Sequence, residues 1–157
     1  MNLELLWTGK TQASYLREGI RLYAERLTHY VRFSLAEMPD LKNTAGLSEE
    51  QIKEKEGQLL LKHLDPTDYL ILFDEHGSSF TSPQMASALE QYQHRGLKKV
   101  VLAIGGPYGF SPDVRARAKE MWSLSPLTFS HQMVRLLCLE QLYRSFTILK
   151  GEPYHHA

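Results

Sequence analysis

Apolar and polar residues follow one another in blocks along this chain, and the period changes from block to block. Residues 3–7 are a short apolar run, Leu-Glu-Leu-Leu-Trp, that reads as a first strand. Leu16, Ile20, Tyr23 and Leu27 recur at three- and four-residue steps, which places a helix within residues 11–29. Val31, Phe33 and Leu35 then alternate with polar neighbours, the period of a half-exposed strand. Pro39, Asp40, Asn43 and Gly46 mark a loop. Ser48 and Gln51 have capping-box spacing and open a helix running to about Leu64. Residues 69–73 form another apolar strand, ending at Asp74-Glu75-His76-Gly77. Ser82-Pro83 starts the next helix and Gly96 stops it. Beyond the apolar residues 100–104, a helix reaches about Met121, followed by a short apolar segment at 124–129. A long helix runs from about His131 to Leu149, closed by Gly151 and Pro153.

Strand and helix therefore alternate to the end, which predicts an α/β fold: a mostly parallel sheet with helices on both faces. With 157 residues and no repeat or linker, residues 1–157 read as one domain. A 43% hydrophobic and 23% charged composition is that of an ordinary globular protein. Eighteen basic residues balance eighteen acidic ones, so any nucleic-acid surface must be local or built from two chains. The one cysteine, Cys138, lies in an apolar run and reads as a core thiol in a reducing compartment. No apolar run approaches the roughly 20 residues of a bilayer span. The amino terminus lacks a basic leader and carries Glu4 in its apolar stretch. The expectation is a cytoplasmic protein with no membrane partner.

The most informative stretch is Val100-Val101-Leu102-Ala103-Ile104 running into Gly105-Gly106-Pro107-Tyr108-Gly109. The first five residues suit a strand buried on both faces. The glycines allow a sharp turn and close approach of backbone to a ligand. Ser111, Pro112 and Asp113 then supply an N-cap, a first-turn proline and an acid for the helix dipole. A strand, a glycine loop and a helix build a ligand site at the carboxyl end of an α/β sheet. This one lies two-thirds of the way along the chain. It matches neither the dinucleotide fingerprint nor a phosphate loop.

The last helix is apolar on two sides. Val134, Leu136, Cys138, Leu139, Leu142, Tyr143, Phe146 and Leu149 cover about half its circumference, at 100° per residue. Met133, Leu137 and Ile148 form a second patch nearly opposite. One face suits the sheet; the other suits a second subunit or a loop of the same chain. Arg135 falls within the broad apolar face, where a buried guanidinium needs a counter-charge and serves either as a structural ion pair or as a binding residue. Arg135 and Arg144 are the candidate RNA-contacting residues of this helix. Arg17, Arg21, Arg26, Arg115, Arg117 and Lys119 read as solvated helix faces, or as contacts to phosphates. Asp74-Glu75-His76 reads as a polar strand end, with acid–base or metal chemistry as the alternative. The seven histidines show no zinc spacing, and no metal is expected.

Further motifs accompany the glycine loop. They are the run Ser125-Pro126-Leu127-Thr128-Phe129-Ser130-His131-Gln132-Met133-Val134-Arg135, the ending Gly151-Glu152-Pro153-Tyr154-His155, Lys53-Glu54-Lys55-Glu56-Gly57, and the strand end Phe73-Asp74. In this order and over nearly the whole chain, they resemble the RlmH family of the SPOUT superfamily, the large-subunit ribosomal RNA pseudouridine N3-methyltransferases. The resemblance implies a deep trefoil knot in the C-terminal part, holding S-adenosylmethionine, and a homodimer with the cofactor near the subunit interface. It implies a pseudouridine in helix 69 of 23S rRNA as substrate, on the assembled ribosome. Carried over by position, the cofactor site is Phe73, Gly105, Leu124, Ser125, Pro126, Leu127, Thr128 and Phe129. Tyr154 and His155 of the tail are then candidates to close over the pocket and act on the base, with His131 as a competing base. The chain departs from the family pattern at Phe73, where relatives often have Leu, and at Ser130, where they often have Pro. From the residues alone two other readings stand. One is a non-catalytic nucleotide- or RNA-binding module. The other is a small hydrolase using Asp74 or Glu75 with His76.

Overall fold

A computed structural model describes residues 1–156. In chain order the elements are β1 (Asn2–Thr8), α1 (Ser14–Leu27), β2 (Arg32–Met38), α2 (Glu49–His63) and β3 (Tyr69–Ser79). There follow α3 (Ser82–His94), β4 (Lys99–Ile104), α4 (Pro112–Arg117), β5 (Glu120–Ser123) and α5 (Met133–Leu149). The five strands form one parallel sheet in the order β2-β1-β4-β3-β5. The expected α/β architecture is borne out.

The most apolar strand is the central one. Val100, Leu102 and Ile104 face one hydrophobic cluster, and Val101 and Ala103 face the other. All five are at most 5% exposed, so helices must cover both sides. On the first side α1, α3 and α5 supply Leu16, Ile20, Leu89, Leu139, Leu142 and Phe146. On the second, α2 and α4 supply Leu60 and Val114. Ser48 accepts from the Gln51 amide while the Gln51 side chain accepts from the Ser48 amide, the capping box that the spacing predicts. Gly57 lets α2 and α4 meet: a Cβ there would lie 2.5 Å from Ser111 Oγ.

Two boundaries differ from the sequence reading, both near the site. The helix after the glycine loop ends at Arg117 instead of about Met121, because Ala118 turns extended and the Lys119 amide bonds the Leu70 carbonyl at 2.8 Å. Residues 120–123 become an edge strand, too short for its period to stand apart from a helix end. β3 continues past Phe73 through a register shift, so that Ser78 and Ser79 pair with Trp122 and Ser123. Gly77 allows it, since a Cβ there would lie 2.5 Å from the Met121 carbonyl carbon.

Candidate active site

The carboxyl ends of β3, β4 and β5 open onto one cleft of about 420 Å³. Phe73 stands at the end of the regular part of β3, and Gly105 directly follows β4. Leu124, Ser125, Leu127, Thr128 and Phe129 come from the segment between β5 and α5. Seven of the eight residues singled out for a cofactor thus line one space, with Pro126 in the same segment but outside the lining. His131 lines it too, at the entry to α5.

The backbone of that segment is largely unpaired. Ser125 folds it locally: its carbonyl accepts from Ser123 Oγ at 3.1 Å and its hydroxyl accepts from the Leu127 amide at 3.0 Å. Among the described residues, no other hydrogen bond engages the main chain of residues 124–129. Polar main-chain groups flanked by Leu124, Leu127 (70% exposed) and Phe129 suit a flat heterocycle with donors and acceptors on its edge.

The glycine loop is tighter than a ligand approach alone requires. A Cβ on Gly105 would lie 3.2 Å from the buried Phe110 ring, and one on Gly106 would lie 3.0 Å from Glu56 Oε2. A side chain on Gly105 would therefore press on Phe110 whatever occupies the cleft. Gly109 adopts φ of +82°, which disfavours any side chain there. Under the loop, burial first and the Asp40 charge second push the Glu56 carboxyl above its ordinary range.

Asp74, Glu75 and His76 do not form a hydrolytic site. Asp74 Oδ2 pairs with Arg115 Nη2 at 2.7 Å, and its Oδ1 accepts from the His76 amide at 2.9 Å. Burial raises this carboxyl, but the amide and the guanidinium outweigh it and leave it below its usual range. His76 is exposed and lies 3.5 Å from Glu75. Among the described residues, no three His, Cys, Asp or Glu side chains converge as metal ligands. Among the described residues, no helix is long and apolar enough to cross a membrane.

A family model described as "Predicted SPOUT methyltransferase" matches residues 1–155. The chain belongs to the SPOUT methyltransferase family. The motif resemblance is borne out, and the chain is a methyltransferase. Curated relatives cover 99% of this chain, and it covers 99% of theirs. "Ribosomal RNA large subunit methyltransferase H" of Parabacteroides distasonis is 53% identical over 156 residues. Proteins of the same name from Flavobacterium psychrophilum and Christiangramia forsetii are 51% and 48% identical.

The other candidate residues of this SPOUT methyltransferase lie apart from the cleft. Tyr154 packs edge-on against Tyr143 and its hydroxyl donates to Glu140 Oε1 at 3.1 Å, with Tyr23 Oη at 3.2 Å. Burial and these two hydrogen bonds hold its hydroxyl well above the usual phenol range. His155 Nδ1 lies 3.2 Å from Arg144 Nη1, and its buried Nε2 has no partner among the described residues. Arg144 sits over the Tyr154 ring and pairs with Glu140 at 2.5 Å. The tail therefore lies against α1 and α5 of its own chain, not over that chain's cleft.

Arg135 is 2% exposed, and its partners are not the counter-charge its position on the helix suggests. Nη1 donates to the Gly9 carbonyl and to Thr11 Oγ1, both at 3.0 Å, and Nη2 donates to the Thr8 carbonyl at 2.8 Å. The guanidinium also covers the Trp7 ring. It fastens α5 to the end of β1. Met133 packs against the main core and so leaves the second patch, whereas Leu137 and Ile148 belong to neither hydrophobic cluster of the chain. The Asp74–Arg115 pair escapes sequence reading because its members stand 41 residues apart. Its one signal is an acid at a strand end and a base one turn into the next helix but one.

Proposed function

We propose that this enzyme transfers a methyl group from S-adenosylmethionine to N3 of a pseudouridine in helix 69 of 23S rRNA, on the assembled ribosome. One observation carries the reading: Phe73, Gly105 and the 124–129 segment surround a single cleft. The residues fit the cofactor. The volume lies within the range of small-molecule sites, and unpaired main-chain groups between apolar side chains suit an adenine. The names of the relatives support an RNA substrate.

Bound there, S-adenosylmethionine supplies an electrophilic methyl group on a sulfonium. The chain's own residues orient the reactants and move one proton, because N3–H must lose its proton as the N–C bond forms. His131 faces the cleft and is the candidate base within one chain. His155 is the candidate base on the tail. Tyr154, with its raised pKa, serves as a ring or a hydrogen-bond donor at neutral pH, not as a base.

The active form in this proposal is a cytoplasmic homodimer that uses no metal, in which the tail of one copy reaches the cleft of the other. Support comes from Leu137 and Ile148, apolar residues of α5 without a place in their own chain's core. The deep trefoil knot belongs to the same reading. After edge strand β5 the chain returns to the end of β1, where Gln132 Oε1 accepts from the Gln12 amide at 2.8 Å and Arg135 holds Thr8 and Gly9.

Two measurements test the proposal: calorimetric titration with S-adenosylmethionine, and labelled methyl transfer to ribosomes followed by mapping of the product. Saturable binding and label at N3 of a helix 69 pseudouridine are expected. No heat with the cofactor, or label confined to another RNA, overturns it.

A further inference from the structure

The cleft carries two groups that the fold leaves only partly engaged. Arg115 is the permanent cation of the cleft lining; the other ionisable groups there are Asp74, Glu75, His76, His131 and Tyr108. Asp74 fixes it through Nη2, while Nη1 rests 3.3 Å from the Met121 sulfur, a weak acceptor. A guanidinium has five N–H donors, so most remain available, and the side chain is 37% exposed. Tyr108, at the tip of the glycine loop, is 42% exposed. Its ring joins no aromatic pair among the described residues. The two are neighbours through Gly109, whose Cβ position would lie 3.9 Å from Arg115 Nη2.

We infer that Tyr108 and Arg115 form a nucleotide clamp at the cleft, the ring stacking on an unpaired base of single-stranded RNA and the guanidinium holding a flanking phosphate. The inference rests on the RNA-methyltransferase reading above. Stacking on an exposed aromatic, together with a cation for the backbone, is how single-stranded RNA is held. A planar fork with free donors matches phosphate geometry. The fixed neighbours of Arg115 are Asp74 of β3, Met121 of β5 and Gly109 of the loop, and none comes from the 124–129 segment. That assigns the guanidinium to the RNA rather than to the cofactor. Asp74 is already bound on both oxygens, by Arg115 and the His76 amide, and the exposed Glu75 lies 3.5 Å from His76.

The clamp is tested by steady-state methyl transfer to 70S ribosomes at saturating S-adenosylmethionine, over a salt series, with cofactor affinity measured separately by calorimetry. Arg115→Gln is expected to raise KM about tenfold and to lower the salt slope by about one, with cofactor Kd within about twofold. Arg115→Lys, which keeps a cation beside Asp74, restores the slope but only part of the affinity. Tyr108→Ala raises KM about tenfold at unchanged slope, and Tyr108→Phe restores it. A tenfold loss of cofactor affinity in Arg115→Gln assigns the guanidinium to the cofactor and overturns the clamp. Wild-type KM and slope in Arg115→Gln and Tyr108→Ala overturn it as well. A wild-type enzyme that transfers nothing to ribosomes removes the underlying reading, and that result precedes any variant.

Discussion

The two ends of the sheet treat polar groups in opposite ways. At the amino-terminal ends of the strands, the acids Glu120, Glu4 and Asp68 meet their partners. Glu120 accepts from Tyr69 and Trp122 at 2.6 and 3.2 Å, and from Tyr92. Glu4, only 7% exposed, has His63 at 2.8 Å, Ser34 at 3.4 Å and Lys99 at 3.8 Å. Asp68 accepts from the Asp65 amide and pairs with Lys99. At the carboxyl-terminal ends, the 124–129 backbone, Arg115, His131 and Tyr108 face open space. Buried polar groups are normally satisfied within the fold, so groups left free beside a cleft mark the end of the sheet that meets a ligand. Arg135 guards against a cruder rule. It lies at the ligand end, yet its Nη donors are committed to Thr8, Gly9 and Thr11, and only its buried Nε is without a partner among the described residues.

The largest effects are expected where the ligand end depends on a second copy. Leu137→Arg puts a charge on the half-buried α5 patch that joins neither hydrophobic cluster of the chain. Sedimentation is expected to show a wild-type dimer at micromolar concentration and a monomeric variant, with methyl transfer abolished. A wild-type monomer would remove the shared-site picture. Deleting residues 154–157 is next, with transfer to ribosomes down by about two orders of magnitude or more. Cofactor affinity should hold, since neither Tyr154 nor His155 lines the cleft of its own chain. Near-normal transfer by the truncated enzyme would leave His131 as the base to test.

Arg135→Ala probes the exception. It leaves the Thr8 and Gly9 carbonyls without their donor and uncovers Trp7, so a stability loss of about 2–3 kcal/mol is expected in urea unfolding. If RNA affinity fell while stability stayed unchanged, Arg135 would be a binding residue after all.

Much of this contrast was legible before the structure. The central strand, the glycine loop and both helix caps follow from local pattern, because burial on two faces and capping leave marks a few residues long. The strand order does not, since nothing within 99–104 says that β4 enters between β1 and β3. β5 was hidden because four residues carry no period, and the extension of β3 because its paired residues, Ser78 and Ser79, are polar and follow a register shift. At the site, residues 124–129 read from pattern only as a short apolar segment, and the family resemblance gave them their expected role. Arg115 could not be read locally, as its role depends on an acid 41 residues away. The tail's seat on Tyr143 and Arg144 was likewise beyond reach, because it rests on packing between distant rings.

The smallest expected effect belongs to the other end of the sheet. Glu120→Gln keeps the size of the side chain but removes the charge that Tyr69, Tyr92 and Trp122 solvate. Burial raises the Glu120 carboxyl, yet the three hydrogen bonds outweigh it and the net shift is downward. A carboxyl lowered by folding adds stability that is present above its unfolded pKa and lost as pH falls through the folded one. Wild type should therefore exceed the variant by about 1–2 kcal/mol at neutral pH, with the gap closing below the ordinary carboxylate range of about 4. Urea unfolding at several pH values reads this directly. Methyl transfer per folded molecule should stay within about twofold, because Glu120, Tyr69 and Tyr92 lie outside the lining of the cleft. A tenfold loss of transfer at unchanged stability would mean that this end of the sheet also serves the reaction, through Trp122 and its edge contact with Phe73 in the cleft wall.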